Sequence, residues 1–491
     1  MPRRIPHLMW LALPLVYFLY FYHLNAAGLL GPDEPRYASV GREMAHSGDW
    51  ITPRLWGEPW FEKPALLYWM TATGFRLGLP AELAARLPVA LLAVLFLVFY
   101  WRILRSEFGG RAAWFATLIL GTCAGWVGFS QVGVTDVPLT VTFSAAMLLA
   151  LPWISRGEAR LLPLASALLG LAALAKGVVP LVLALPVLGI PAVRRGRWRD
   201  LIRGRVIAPF ALVALPWYLL CYLRNGRVFL DVFFEQHQWQ RFTSAALAHG
   251  QPWWFYIPVL AGLLLPWTPV LVLPMRRKAW RDPRRVFLLA WIVFGLVFFS
   301  AAANKLPGYV LPLLPAAAAL LGIGLHEARD PRPWLAACAL LLVTYPIAAR
   351  VLPVAVAIGL SHAARPAPHW SWLLAPIAAG LLYCQPFGRK RLAAVAALAT
   401  CATAGIVYLK AASLPEVNRL ASARDIWGQI GVHASDVCID AIHRDWRYGL
   451  NFYSVAPLPD CERVPKPWMV RQTPGEPPYL TSASPVVTTA P

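Results

Sequence analysis

"GPDEPRYASVGREM" (residues 31–44) follows the first long apolar run of the chain and sets Asp33, Glu34, Arg36, Arg42 and Glu43 within a dozen positions. Elsewhere the 491 residues are 58% hydrophobic and only 14% charged, with a mean hydropathy of +0.54, which marks a polytopic membrane protein. Five ionisable groups at the edge of a membrane-length segment therefore call for an explanation. The net charge of +21 would fit a nucleic-acid binder, but the basic residues fall in short loops between apolar runs and mark topology instead.

Runs long enough to cross about 30 Å of hydrocarbon lie near 8–26, 84–101, 112–130, 137–154, 161–175, 178–193 and 206–223, and near 254–273, 286–303, 309–325, 334–352, 369–387 and 392–409. Thirteen spans are thus expected, the first an uncleaved signal anchor because no A-x-A-like cleavage pattern follows it. With the N-terminus cytoplasmic, the inside segments hold 24 Lys and Arg against 11 in the longer outside segments before the last span. This asymmetry supports the orientation. Counting "ALLYWMTATGFRLGL" (65–79) as a span would turn "RRGRWRDLIRGR" and "RRKAWRDPRR" outside, so it is read as a re-entrant or interfacial helix.

The expected division is a transmembrane part, 1–410, with a first outside loop at 27–83, and a small outside α/β domain at 411–491. The Pro-, Ser- and Thr-rich end "TPGEPPYLTSASPVVTTAP" of that domain is expected to be disordered. Cys123, Cys221, Cys338, Cys384 and Cys401 lie in spans as small apolar residues, whereas Cys438 and Cys461 lie in the exported domain, where an oxidising compartment would pair them. The sequence carries no CxxC, HExxH, Gly-rich phosphate loop or short internal repeat.

Asp33, Glu34, Arg36, Glu62, Lys63, Asp136, Lys176, His237 and Lys305 all fall on the outside, several at span ends. Each alone is accounted for by snorkelling or interface anchoring. Their recurrence on one face points to a wet, charged cavity. Asp33 is expected to cap a short helix starting at Pro35. Lys63, between aromatic residues and before Pro64, sets an ammonium at the mouth of an apolar groove, a suitable place for a lipid phosphate.

The order "DEPRYASVGREMAHSGDWITPRLWGEPWFEKPALLYW" (33–69) resembles the first extracytoplasmic loop of the bacterial aminoarabinose transferases of lipid A. These are C-type glycosyltransferases that use polyprenyl-phosphate sugars and are related to the protein O-mannosyltransferases. "VTDVPLT" around Asp136, "LAKGVVPLVLALP" around Lys176, "QPWWFYIPVLAGLLLPWTP" (251–269) and "NKLPGYVLPLLPAAAALLG" (304–322) follow in the family's order. The resemblance covers residues 8 to about 325. It implies a polytopic α-helical membrane protein of C-type glycosyltransferase fold, with about thirteen transmembrane helices, amphipathic helices in the first periplasmic loop and a small C-terminal periplasmic domain.

The resemblance also implies roles. Asp33 becomes the catalytic or acceptor-positioning carboxylate and Asp136 the second acid. Arg36, Tyr37, Glu62 and Lys63 fall on the first-loop motif, with Lys63 on the donor phosphate and Arg36 supporting Asp33 or a phosphate oxygen. His237, in "FFEQHQWQRF", stands where the family has a functional histidine, at a different spacing, and Lys176 and Lys305 join the substrate-binding set. No cofactor is required, although Glu62 and His237 would be the ligands of a divalent metal. The expected reaction moves an aminoarabinose-like sugar from undecaprenyl phosphate to lipid A or a related acceptor in the inner membrane, without nucleic acid. The alternatives are transfer to protein hydroxyls and, outside enzymes, transport of a polyprenyl-linked sugar. Against transport, neither an inverted repeat nor a charge chain across the membrane is present in the sequence.

Overall fold

The computed structural model describes residues 13–233, 235, 250–275, 280–384 and 391–482. Within them, eight helices are long and apolar enough to cross a membrane: Ala81–Phe108, Asp136–Arg156, Ala159–Lys176, Gly204–Asn225, Pro283–Ala301, Pro307–Glu327, Arg332–Ile358 and Arg391–Ala421. Val179–Arg194 and Trp370–Cys384 are shorter apolar helices.

Several of the expected runs are not single long helices, for local reasons. The run 112–130 breaks at Cys123, whose extended backbone separates helix Gly110–Thr122 from Ala124–Phe129. The run 254–273 becomes helix Tyr256–Leu263 followed by the 3-10 segment Thr268–Met275, with Pro266 and Pro269 removing backbone donors between and at the start of them. The first run is described only from residue 13 and includes a π-turn at Tyr17–Phe21.

Helices Asp136–Arg156 and Pro307–Glu327 are almost wholly buried and form the centre of the bundle. Gly204–Asn225 lies at its periphery and exposes Leu212, Leu215, Leu219 and Leu223, as a lipid-facing helix does. The first loop folds as helix Asp33–Ser47, a short antiparallel pair β1 (Arg54–Leu55) and β2 (Glu58–Pro59), and helix Leu66–Arg76. At 11 residues the last is too short to span a bilayer, which accords with its reading as a re-entrant or interfacial helix. The two loop helices pack closely at Gly41, where a Cβ would come within 2.6 Å of the Thr71 methyl.

Helix Arg391–Ala421 runs through the expected domain boundary at 410. Beyond it, helix Arg424–Ile430 and helix Arg444–Tyr453 pack on a sheet of order β3 (Val437–Ile439), β4 (Trp468–Arg471), β5 (Tyr479–Ser482), β3 parallel to β4 and β4 antiparallel to β5. Ile426, Ile430, Val437, Ile439, Trp446, Leu450 and Val470 fill the space between. Strand β5 lies inside the segment expected to be disordered, because "YLTS" finds a ladder partner in β4 that its Pro-rich surroundings do not announce. A disulfide joins Cys438 to Cys461, with Cα atoms 4.9 Å apart.

This C-terminal unit sits on the first loop. Arg424 and the Tyr453 hydroxyl meet Glu82 at 2.9 and 2.8 Å, and the Arg42 guanidinium lies 4.5 Å from the Phe452 ring centre.

Candidate active site

Helix Asp33–Ser47 starts at Asp33 itself, since Pro32 already has helical backbone angles and no side chain caps the first turn. The expected capping role for Asp33 is therefore not found. One turn on, Arg36 takes its carboxylate as an i,i+3 ion pair. Arg36 also reaches Glu62 at 3.0 Å, donates through Nε to the Pro32 carbonyl at 2.9 Å, and lies against the rings of Trp60 and Tyr448 at 5.6 and 5.0 Å. Burial works against the guanidinium's charge, but Glu62 and Asp33 more than offset this and hold it protonated. The Lys63 ammonium pairs with Glu62 at 3.0 Å. The result is a chain of alternating charges, Asp33, Arg36, Glu62 and Lys63. Asp33 is its most open member, with a side chain 39% exposed against 5% for Glu62.

A second couple comes from the bundle. Asp136 opens helix Asp136–Leu149 and Lys176 closes helix Leu162–Lys176, so each charge sits at the helix end that favours it. Their Oδ1 and Nζ atoms are 2.8 Å apart, and Nζ stands 4.8 Å above the Tyr309 ring. Gly308 permits this approach, because a Cβ there would lie 2.9 Å from Asp136 Oδ1.

One cleft brings the two couples together. Asp33, Tyr37, Lys63, Asp136, Lys176, Asn304 and Tyr309 line it, with Leu139, Val179, Phe298 and Phe299 supplying an apolar wall. Burial pushes the Tyr37 hydroxyl well above the ordinary tyrosine range, so it stays protonated. Glu62 stands behind the cleft as the bridge between Arg36 and Lys63. Lys305 instead donates to the Ala302 carbonyl at 2.8 Å, and its neighbours Asn304 and Leu306 face the cleft. His237 lies outside the described residues. No group of three or more His, Cys, Asp or Glu placed to hold a metal occurs among the described residues, and Glu62, of the two suggested ligands, has a cation on each oxygen.

Sequence reasoning missed two features. Glu34 is a structural anchor: both its oxygens pair with Arg86 at 2.7 Å and also accept the amides of Leu30 and Gly133 at 2.9 and 2.8 Å. Arg86 spends its remaining donors on the carbonyls of Leu24, Ala27 and Gly28. Tyr309 lies in "NKLPGYVLP", four residues after Lys305, where no charge or spacing of its own marks it.

A charged cleft roofed by a first loop that carries two short helices, on a bundle with this helix order, defines the C-type glycosyltransferase fold. Within that class the chain is similar to the undecaprenyl phosphate-aminoarabinose arabinosyl transferases. The family described as dolichyl-phosphate-mannose-protein mannosyltransferase matches residues 62–222. An undecaprenyl phosphate-alpha-4-amino-4-deoxy-L-arabinose arabinosyl transferase of Pseudomonas aeruginosa is 35% identical over 341 residues, 64% of this chain and 59% of that protein. Its counterpart in Aeromonas salmonicida is 34% identical over 331 residues, 63% of this chain and 58% of that protein. The chain thus matches somewhat under two thirds of the length of these relatives. The crystal structure of ArnT from Cupriavidus metallidurans bound to undecaprenyl phosphate superposes with a TM-score of 0.77 at 26% identity, covering 94% of this chain and 93% of that one.

Proposed function

We propose that this chain is a membrane glycosyltransferase that moves an aminoarabinose-like sugar from undecaprenyl phosphate to lipid A or a related envelope glycolipid, at the periplasmic face of the inner membrane. The observation that carries the reading is the convergence of Asp33 and Lys63 with Asp136 and Lys176 in one cleft with an apolar wall. The names of the relatives supply the sugar and the carrier.

The chemistry suits these groups. A sugar joined through phosphate to a lipid already carries its leaving group. As the bond from the anomeric carbon to the phosphate oxygen breaks, negative charge grows on the phosphate, and the ammonium groups of Lys63 and Lys176 offset it. The acceptor oxygen forms the new bond to the same carbon, and undecaprenyl phosphate departs. Asp33, the most open carboxylate, aims the acceptor and takes its proton where the acceptor is a hydroxyl. A phosphate acceptor arrives ionised, and the carboxylate then serves the positive charge that develops on the sugar.

The orientation has a physical basis. Asp136 and Arg156 mark the two ends of one 21-residue helix, about 30 Å apart at 1.5 Å per residue. At the Arg156 end Glu107 meets Arg156 and Arg284, and Arg195 and Arg197 donate to the carbonyls of Ile154 and Trp153; this gathering of arginines supports reading the opposite, cleft end as periplasmic under the positive-inside rule.

The family matched at residues 62–222 favours a second acceptor class, protein hydroxyls. Mass spectrometry of lipid A and of envelope proteins from a deletion strain, with and without the restored gene, separates the two. Loss of an aminopentose from lipid A supports the proposal. Loss of a sugar from envelope proteins with lipid A unchanged overturns it.

A further inference from the structure

Two helices that wall the cleft at one end frame a second hollow at the other. Helix Val179–Arg194 lends Val179 to the cleft, and helix Pro283–Ala301 lends it Phe298 and Phe299. At 16 residues the first helix is about 24 Å long, so its last turn lies toward the opposite side of the bilayer. There the two helices part over adjoining cavities of about 270 and 280 Å³, which share Pro191, Arg195, Val286 and Ala290 and so make one groove.

The groove changes character along its length. Toward the bilayer centre its walls are apolar, with Pro186 and Ile190 on one helix and Val286, Ala290 and Phe294 on the other. These residues recur at four-residue steps, so each helix turns a single face to the groove, and the small side chain of Ala290 leaves the space between them. Ile190 and Val286 are 55% and 46% exposed, so the groove opens sideways onto hydrocarbon. At its outer end stand Arg194, Arg195 and Arg281. The Ile154 carbonyl accepts from Arg195 and fixes its direction. Among the described residues no carboxylate lines the groove, and the acids of the adjoining loops, Asp200 and Asp282, are taken up by Arg203 and by Arg284 and Arg285.

Three guanidinium groups at the mouth of an apolar, laterally open groove suit a ligand with two parts, a phosphate and an acyl chain. A free anion would leave the apolar walls uncovered. A zwitterionic lipid would bring an ammonium of its own against the arginines. We propose that this groove binds a diacyl phospholipid of net negative charge from the leaflet opposite the cleft, with its phosphate on Arg194, Arg195 and Arg281 and an acyl chain along Ala290 and Phe294. The site is separate from the cleft, and the inference holds whichever sugar and acceptor the cleft takes.

The test titrates the purified full-length protein, in a non-ionic detergent, with phosphatidylglycerol or phosphatidylcholine and counts bound lipid by native mass spectrometry. Phosphatidylglycerol should bind about 10-fold or more tightly than phosphatidylcholine. Replacing both Arg194→Gln and Arg281→Gln should weaken phosphatidylglycerol by about 10- to 30-fold, the worth of two arginines near a membrane surface, and leave phosphatidylcholine unchanged. The Arg194→Lys and Arg281→Lys pair keeps the charge and should retain most of the affinity, which separates lost charge from lost folding. Ala290→Trp fills the apolar part with the arginines in place and should also weaken phosphatidylglycerol. Millimolar inorganic phosphate should not displace the lipid. Equal binding of the two lipids, or parental affinity in the glutamine pair, overturns the inference. Release of the lipid by inorganic phosphate, or indifference to Ala290→Trp, reduces the groove to a site for small anions and overturns the lipid assignment.

Discussion

Asp136 Oδ1 and Lys176 Nζ lie 2.8 Å apart, joining the first turn of one central helix to the last turn of the next across 40 residues of sequence. Among the described residues this ammonium meets the Asp136 carboxylate and the Tyr309 ring. A phosphate arriving beside it adds a second anion to the same cation, with little reorganisation needed.

Lys176→Ala should therefore raise KM for the lipid-linked donor by about 10- to 100-fold, since it removes a charged partner of the phosphate and leaves Asp136 facing it uncompensated. Initial rates over a range of donor concentrations check this on protein whose folding is verified by its melting profile. An unchanged KM would remove Lys176 from the phosphate site.

Asp33→Asn should lower kcat by at least about 100-fold, the usual worth of a positioned acid or base, with donor binding nearly intact. The structure sharpens this expectation, because Asp33 makes no capping hydrogen bond whose loss could explain a slow variant. Near-normal turnover by the folded variant would move the acid-base role to Asp136.

Much of the cleft was legible because its first half is local. Asp33, Arg36, Glu62 and Lys63 lie within 31 residues, and a loop with that charge order at a membrane edge is a pattern a single sequence can show. Asp136 and Lys176 could be named as candidates, but their contact depends on how two spans pack. Tyr448 is some 400 residues from Arg36 and had no local signal at all. Asp33 was misplaced as a cap because Pro35 is a good first-turn residue; in fact Pro32 already has helical angles and the helix begins two residues earlier, at Asp33 itself. Hydropathy registers apolar length and does not see where a run breaks, so the breaks at Cys123 and around Pro266 were not legible.

Glu34→Gln should destabilise the protein by about 3 to 5 kcal/mol, because it leaves the Arg86 guanidinium buried without its counter-charge. Both side chains are almost fully buried, at 0% and 4% exposure. Thermal melting in detergent should show the loss, while KM of the remaining folded protein stays unchanged. A melting temperature equal to that of the parent would show that the pair does not anchor the loop.

Transfer should be insensitive to EDTA. Glu62 already balances Arg36 and Lys63 at 3.0 Å each, and a divalent ion there would stand against two cations. Activity measured before and after chelation, with zinc or magnesium added back, checks this. A loss restored by one of the metals would require ligands beyond the described residues.

The disulfide makes a prediction that reaches the cleft. Cys438 and Cys461 are 23 residues apart, and the segment they close contains the whole of helix Arg444–Tyr453. Closing such a loop stabilises a small unit by about 3 kcal/mol, chiefly by restricting its unfolded chain. The core of this unit is small, so that contribution is a large part of what holds Tyr448 against Arg36. Replacing both cysteines by serine should leave the bundle folded, yet make the C-terminal unit more susceptible to limited proteolysis, and it should lower transfer while binding of undecaprenyl phosphate persists. A thiol count on denatured, unreduced protein should find neither Cys438 nor Cys461 free. If both titrate as free thiols, or if the double variant transfers sugar at the parental rate, the bridge does not support the site.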